Sequence, residues 1–311
     1  MYDTLHLFRP MYKMQEGEFR TVQRALNYPE PKTNRYGQLY WHGHLDNLSV
    51  WFTEGIGMTI RGSICKYHFG NNFESLGLAE TSTAFEKLGD ELQIRTSNLK
   101  LTRIDFAVNL VMDYPVECYL SRLSTSPYYP SPKQYRKHGK LQTVSFENTL
   151  RSKKAYNKID EAIFSKERIP IPFLDTHLLR FETSILKAPH KRFKKQPITA
   201  DLLNDKAFYL QMLNYWKSEF NTIHKTHLPM STGNSIKKPS DKLKLFAALY
   251  IESIGIENAM LSVEDDKALN RMKSKYAYSN TKSMIRATAN KFSKGSDLVE
   301  ELNSKVIAIE P

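Results

Sequence analysis

The chain has 311 residues, enough for one large domain or two smaller ones with a sizeable core. Its 45 Lys and Arg against 33 Asp and Glu give a formal charge of +12, which favours a polyanionic partner, nucleic acid first, over an acidic metabolite. Cys65 and Cys118 are far apart and lack any second Cys or His at zinc-ligand spacing, and no run of ~18 apolar residues or basic-then-apolar leader occurs, so a soluble, cytoplasmic protein without a membrane partner is expected.

The chain opens on a strand, with Asp3, Leu5 and Leu7 alternating against Tyr2, Thr4 and His6. Polar, turn-rich sequence follows to Pro31 and Tyr36-Gly37. Residues 43–52 and 58–64 carry β-branched or apolar side chains at alternate places, with Gly55 and Gly57 between them, and predict a meander. Residues 66–72 predict a turn, either one whose backbone approaches phosphate or a simple one with Asn71 or Asn72 as a helix N-cap. From 72 to about 92, Leu76, Leu78, Ala84, Phe85, Leu88 and Leu92 recur near helical spacing. Residues 99–112 are a strand, with Thr102, Ile104, Phe106, Val108 and Leu110 on an apolar face opposite Arg103, Asp105, Ala107 and Asn109.

Pro115 starts a short helix over 116–123. The Pro-rich stretch 127–132 opens a loop through Lys133, Arg136, Lys137 and Lys140, and its interleaved Tyr128, Tyr129 and Tyr135 suit contact with a nucleic-acid backbone and stacking on bases. Strands resume at 141–146, 154–158 and 178–186. Beyond Pro189 the pattern turns helical, over 202–224, 242–254 and 266–292, and a boundary is expected near residue 195. The expected class is α+β: a mostly antiparallel sheet with helices on one face over 1–195, then a helical, basic DNA-binding or accessory region over 196–311.

Three strand segments carry the chemistry. Arg103-Ile104-Asp105, Tyr156-Asn157-Lys158 and Arg180-Phe181-Glu182 each set two polar groups either side of one residue, so a strand projects both from one face. Asp105 and Glu182 supply hard oxygens of the kind that hold Mg²⁺ or Mn²⁺, and Arg103 and Arg180 offer charge for a phosphodiester. The nucleophile is either water or a protein hydroxyl; Tyr156 is the candidate hydroxyl, with Lys158 or Lys154 to stabilise phenolate or phosphate charge. Lys66, Lys153, Arg136 and Lys137 are further candidates for phosphate contact. Structural ion pairs and a packed tyrosine are the bland reading of the same segments, and a basic DNA-binding protein without catalysis or a water-using metal nuclease are the rival functions. His42-Gly43-His44 has Gly between its histidines and is read as exposed strand histidines, not as a metal motif. Lys267, Arg271, Lys273, Lys275, Lys282, Arg286 and Lys291 belong either to a DNA-reading helix or to the solvated face of a bundle.

Residues 1–5 (MYDTL), 43–48 (GHLDNL), 66–72 (KYHFGNN), 102–105 (TRID), 155–158 (AYNK) and 179–182 (LRFE) together resemble the gene II-type rolling-circle replication initiators of filamentous bacteriophages, which are similar to the plasmid initiators of the Rep_trans type. The resemblance covers roughly residues 1–187. It implies that Tyr156 nicks one strand of the origin to leave a 5′-phosphotyrosine and a 3′-hydroxyl primer. It makes Asp105 and Glu182 metal ligands and implies a second transfer that circularises the displaced strand. DNA is the implied partner, with host helicase and polymerase as candidates.

Overall fold

A computed structural model describes residues 1–10, 12, 17–53, 55–195, 197–226, 238–271, 274–292 and 298–310. Residues 1–225 with 305–311 form one compact unit and 226–304 a second. The first unit runs in order through β1 (Tyr2–Pro10), α1 (Glu18–Ala25), β2 (Asn27–Thr33), β3 (Leu39–Leu45), β4 (Leu48–Thr53) and β5 (Gly57–Ser63). Then come α2 (Ile64–Phe69), α3 (Leu78–Leu92), β6 (Lys100–Met112), α4 (Val116–Leu120), β7 (Lys133–Lys137) and β8 (Lys140–Glu147). It closes with β9 (Arg151–Asn157), α5 (Lys158–Phe164), β10 (His177–Ile185), α6 (Pro189–Phe193), α7 (Ala200–Leu203) and α8 (Lys206–Asn221).

The strands make one ten-stranded antiparallel sheet in the order β2-β3-β4-β5-β1-β6-β10-β9-β8-β7, so the protein is α+β as its patterning predicts. The alternation in β6 partitions the sheet. Ile104, Phe106, Val108 and Leu110 point into a core with Leu179, Phe181, Trp216 and Phe220, all buried. Phe181 meets Trp216 and Phe220 edge-on at 5.5 and 5.2 Å, and Trp216 Nε1 donates to the Phe181 carbonyl at 3.1 Å. Further along the same face, Phe19 of α1 lies 4.0 Å from the Phe52 ring. The opposite face carries Arg103, Asp105, Asn109, Arg180 and Glu182; α5 and the segment after α2 close only one end of it, through the buried cluster of Phe73, Ala162 and Leu178.

The sheet unit continues past residue 195, where the sequence pattern placed a boundary. Helix α8 is the reason: Trp216, Phe220 and Glu219 anchor it to the sheet's apolar face, so cutting at 195 would strip the core. The second unit holds α9 (Pro239–Ile254), α10 (Ile256–Ala268), α11 (Lys275–Phe292) and the start of α12 (Leu298–Ile307). Within it Lys282 pairs with Glu264 and Arg271 with Asp266, so part of the basic run read as either a DNA-reading helix or a solvated bundle face is neutralised locally; Lys273 of that run lies outside the described residues. Among the described residues no single helix is long and apolar enough to cross a membrane.

Candidate active site

The antiparallel register converts the three sequence segments into rows across the open face. One row runs Tyr135 (β7), Thr143 (β8), Tyr156 (β9), Arg180 (β10) and Asn109 (β6), each directly opposite the next. The next row is Lys133, Ser145, Lys154, Glu182 and Ala107, and the third is Glu147, Ser152, Ser184 and Asp105. Residues opposite one another on antiparallel strands share a face. Tyr156, Glu182 and Asp105 therefore lie on successive rows of three neighbouring strands, which is how two carboxylates and a phenol separated by many residues meet.

Tyr156 Oη donates to Glu182 Oε1 at 2.6 Å, and the same oxygen accepts Arg180 Nε at 2.7 Å. Burial and then the Glu182 charge raise the Tyr156 phenol well above its ordinary pKa, so the proton stays on the hydroxyl until a positive charge arrives. Asp105 takes a two-pronged pair from Arg103, Nε to Oδ1 at 3.0 Å and Nη2 to Oδ2 at 2.8 Å. Burial nevertheless pushes the Asp105 carboxyl up, and Glu182 adds to the rise while Arg103 opposes it.

Arg180 is fully inside the protein. Its Nη2 reaches Asp3 Oδ2 at 2.7 Å, and its Nη1 reaches the Asn72 carbonyl at 2.8 Å and Asn109 Oδ1 at 3.2 Å. Asp3 in turn accepts from Ser63 Oγ at 2.6 Å. Burial works against ionisation of Asp3, but Arg180 and Ser63 overcome it and hold the carboxyl below its usual range. Asn109 Nδ2 donates to the carbonyls of Asn72 and Phe73, locking the loop that receives Arg180. Tyr156 and Glu182 line an open cleft of about 660 Å³ with Lys137, Lys154, Tyr135 and Phe164.

A family model describing the N-terminal part of the replication-associated gene II protein matches residues 1–232. The chain belongs to that family. It is a gene II-type replication-associated protein, and the family is one of phage initiators of rolling-circle replication that act on DNA. No curated protein matches it.

In this replication-associated protein the other sequence candidates are not all on the open face. Lys158 does not continue the β9 strand: Asn157 accepts from the backbone N–H groups of Ile159 and Asp160 and caps α5, so alternation ends at Asn157. Lys158 is buried and pairs with Glu161 at 2.6 Å and Glu167 at 3.5 Å. Lys153 points to the opposite face, where its buried Nζ meets Glu219 Oε2 at 2.9 Å and Thr222 Oγ1 at 2.7 Å. Lys66 begins no phosphate-binding turn; Ser63 caps α2 by accepting Lys66 N–H, and the Lys66 ammonium pairs with Glu167. Neither Asn71 nor Asn72 caps a helix, since α3 starts after Gly77.

Lys154 is exposed beside Tyr156 and Arg103 is about one-third exposed, so both can reach a phosphate. Arg136 and Lys137 are exposed on β7, which is a strand and not the predicted loop, because His138 and Gly139 take positive φ of 49° and 79° and close a tight hairpin to β8. His42 and His44 pack edge to face at 4.7 Å on β3, with His42 stacked on Trp51. By sequence Asp3 and Asn109 fall on strand faces and Asn72 at a turn, and none of the three is a predicted site residue. An aspartate in alternation with the buried Leu5 and Leu7 of the first strand was the available signal for Asp3.

Proposed function

We propose that the sheet face nicks one DNA strand by attack of the Tyr156 phenol on a phosphodiester, with later strand transfer. The observation that carries this reading is the 2.6 Å hydrogen bond from Tyr156 Oη to Glu182 on the same face as Asp105, since it gives the nucleophile a proton acceptor already in place. As Oη bonds to phosphorus, its proton passes to Glu182 Oε1, and the P–O3′ bond breaks. A 5′-phosphotyrosine remains and the departing 3′-oxygen takes up a proton to become the primer hydroxyl. Lys154 and Arg103 face the open side and would balance charge on the non-bridging oxygens. Arg180 acts as a positioning residue: it holds Glu182 from behind and meets no substrate.

A divalent cation, Mg²⁺ or Mn²⁺, fits the donor set. Asp105 and Glu182 provide the hard oxygens that would hold it, and one or two carboxylates with substrate phosphate are the usual Mg²⁺ arrangement, so the lack of any three clustered His, Cys, Asp or Glu side chains among the described residues is no obstacle. When bound it would lower the phenol pKa and draw charge from the phosphate. Host helicase and polymerase are proposed as further partners at the origin, on the family's role in replication alone.

The test incubates the protein with a supercoiled origin plasmid and Mg²⁺ or Mn²⁺ and looks for protein-linked DNA. Tyr156→Phe should abolish the adduct, and Glu182→Gln should slow its formation by roughly 10²- to 10⁴-fold, as loss of a general base does. Nicking without an adduct would mean a water nucleophile, and binding without nicking would mean a non-catalytic module.

A further inference from the structure

Two large aromatic rings flank the Tyr156 cleft and stand in solvent. Phe164, at the end of α5, is 76% exposed, and Tyr135, on β7, is 58% exposed. Lys137 Nζ sits 5.7 Å from the centre of the Phe164 ring. An apolar ring left in water beside charged groups is unfavourable unless something covers it. Tyr135 shares its row with Tyr156, with only Thr143 between them, so two strand spacings, about 10 Å, separate the two tyrosines. The cleft wall also contains Gln142, beside the irregularity in the β7 to β8 pairing, whose buried Oε1 has no hydrogen-bond partner.

Aromatic faces, a neighbouring ammonium and an unmatched amide form the set that holds an unpaired nucleotide: the rings stack on the base, the cation meets the backbone and the amide reads the base edge. The carboxylates lining the cleft are engaged elsewhere, Glu147 by Lys133, Asp160 by Asn157, Glu161 by Lys158 and Glu182 by Tyr156 and Arg180. We propose that Phe164 and Tyr135 form a stacking subsite for one unpaired base next to the phosphate presented to Tyr156, with Lys137 on the adjoining phosphate and Gln142 on the base edge. The inference rests on Tyr156 being the nucleophile. A base within a duplex has both faces covered by its neighbours, so the subsite requires the strand to be locally melted before it is cut.

The test uses the full chain carrying Tyr156→Phe, so that binding is read without chemistry. A short single-stranded oligonucleotide containing 2-aminopurine is titrated in, with the matching duplex as control. Stacking should quench the 2-aminopurine fluorescence. Phe164→Ala should weaken single-strand binding by at least about fivefold and relieve the quench, while Phe164→Trp keeps both and duplex binding is unchanged by either. Tyr135→Ala should act in the same direction. Because both rings are exposed, the variants are expected to stay folded, which circular dichroism checks. Unchanged single-strand affinity and quench in both alanine variants would overturn the subsite, as would an equal loss for duplex. The adduct assay on the unsubstituted protein separates the two ideas: an adduct with no Phe164 effect removes only the subsite, and a Phe164 effect with no adduct removes the nicking reading.

Discussion

Arg180 connects Glu182 to the first strand. Its guanidinium is 2% exposed and sits between Asp3 and Glu182, so removing either charge leaves a buried cation partly uncompensated. Breaking a buried pair from one side costs about 3–5 kcal/mol, because the remaining charge has neither water nor partner. Asp3→Asn should therefore lower the unfolding free energy by about 3 kcal/mol in urea titration. It should also slow adduct formation at a temperature where the variant is folded, since Arg180, which holds Glu182, loses its own anchor. Full stability in Asp3→Asn would show that Arg180 finds its compensation elsewhere. The same reasoning explains why the Arg-x-Glu segment looked like a phosphate clamp in sequence and is a brace in the fold: alternation says which face a side chain takes, and says nothing of what covers that face.

At the scale of elements, α8 and α5 decide which lysines are available to DNA. Glu219 of α8 receives Arg151 at 2.8 Å and Lys153 at 2.9 Å, an anchor on the face opposite Tyr156. Glu219→Gln should destabilise the protein by about 3 kcal/mol and leave single-strand affinity unchanged, measured on the folded variant. If Lys153→Met instead weakened DNA binding at full stability, the placement of Lys153 would be wrong. Strands β6 and β10 and the rise of β9 were legible because Ile104, Phe106, Val108, Phe181 and Ala155 lie at alternate positions, and that alternation alone put Asp105, Glu182 and Tyr156 forward as candidates, while their roles came from the family resemblance. The start of α5 was not, since Asn157 serves equally as a strand residue and as a cap and only the chain's turn at Lys158 distinguishes them. Strand β2 was hidden by Pro29 and Pro31, which a sheet tolerates at its edge, and β7 by its charge. Both lie at the ends of the strand order, where Pro and Lys protect against pairing with other chains.

For the molecule as a whole, the sheet and the helices packed on it gather buried or half-buried titratable groups whose protonation differs between folded and unfolded chains. His6 lies opposite Arg103 and Arg61; burial, then those two cations, lower its pKa to about 4 against roughly 6.5 in an unfolded chain. Burial opposes ionisation of Glu219 and Glu167, yet Lys153 for the first and Lys66 and Lys158 for the second hold both below the usual carboxylate range. In each case the unfolded chain binds protons at a higher pH than the folded one, so stability rises with pH across the interval. Asp105 has the opposite sign, its raised pKa favouring the folded state as pH falls, and opposes the others. Falling pH should therefore erode stability in two stages, from about 6.5 as the unfolded chain protonates the histidines whose pKa the fold lowers, His6 and His42 among them, and below roughly 4.5 as it protonates its glutamates. His6→Gln removes its own share of the first stage and leaves the second. Urea midpoints measured near neutrality and at about pH 5 should drop for the unsubstituted protein and drop by less for His6→Gln, while both fall together in stronger acid. An equal drop in the two proteins between neutrality and pH 5 would place the sensitive group elsewhere than on the first strand.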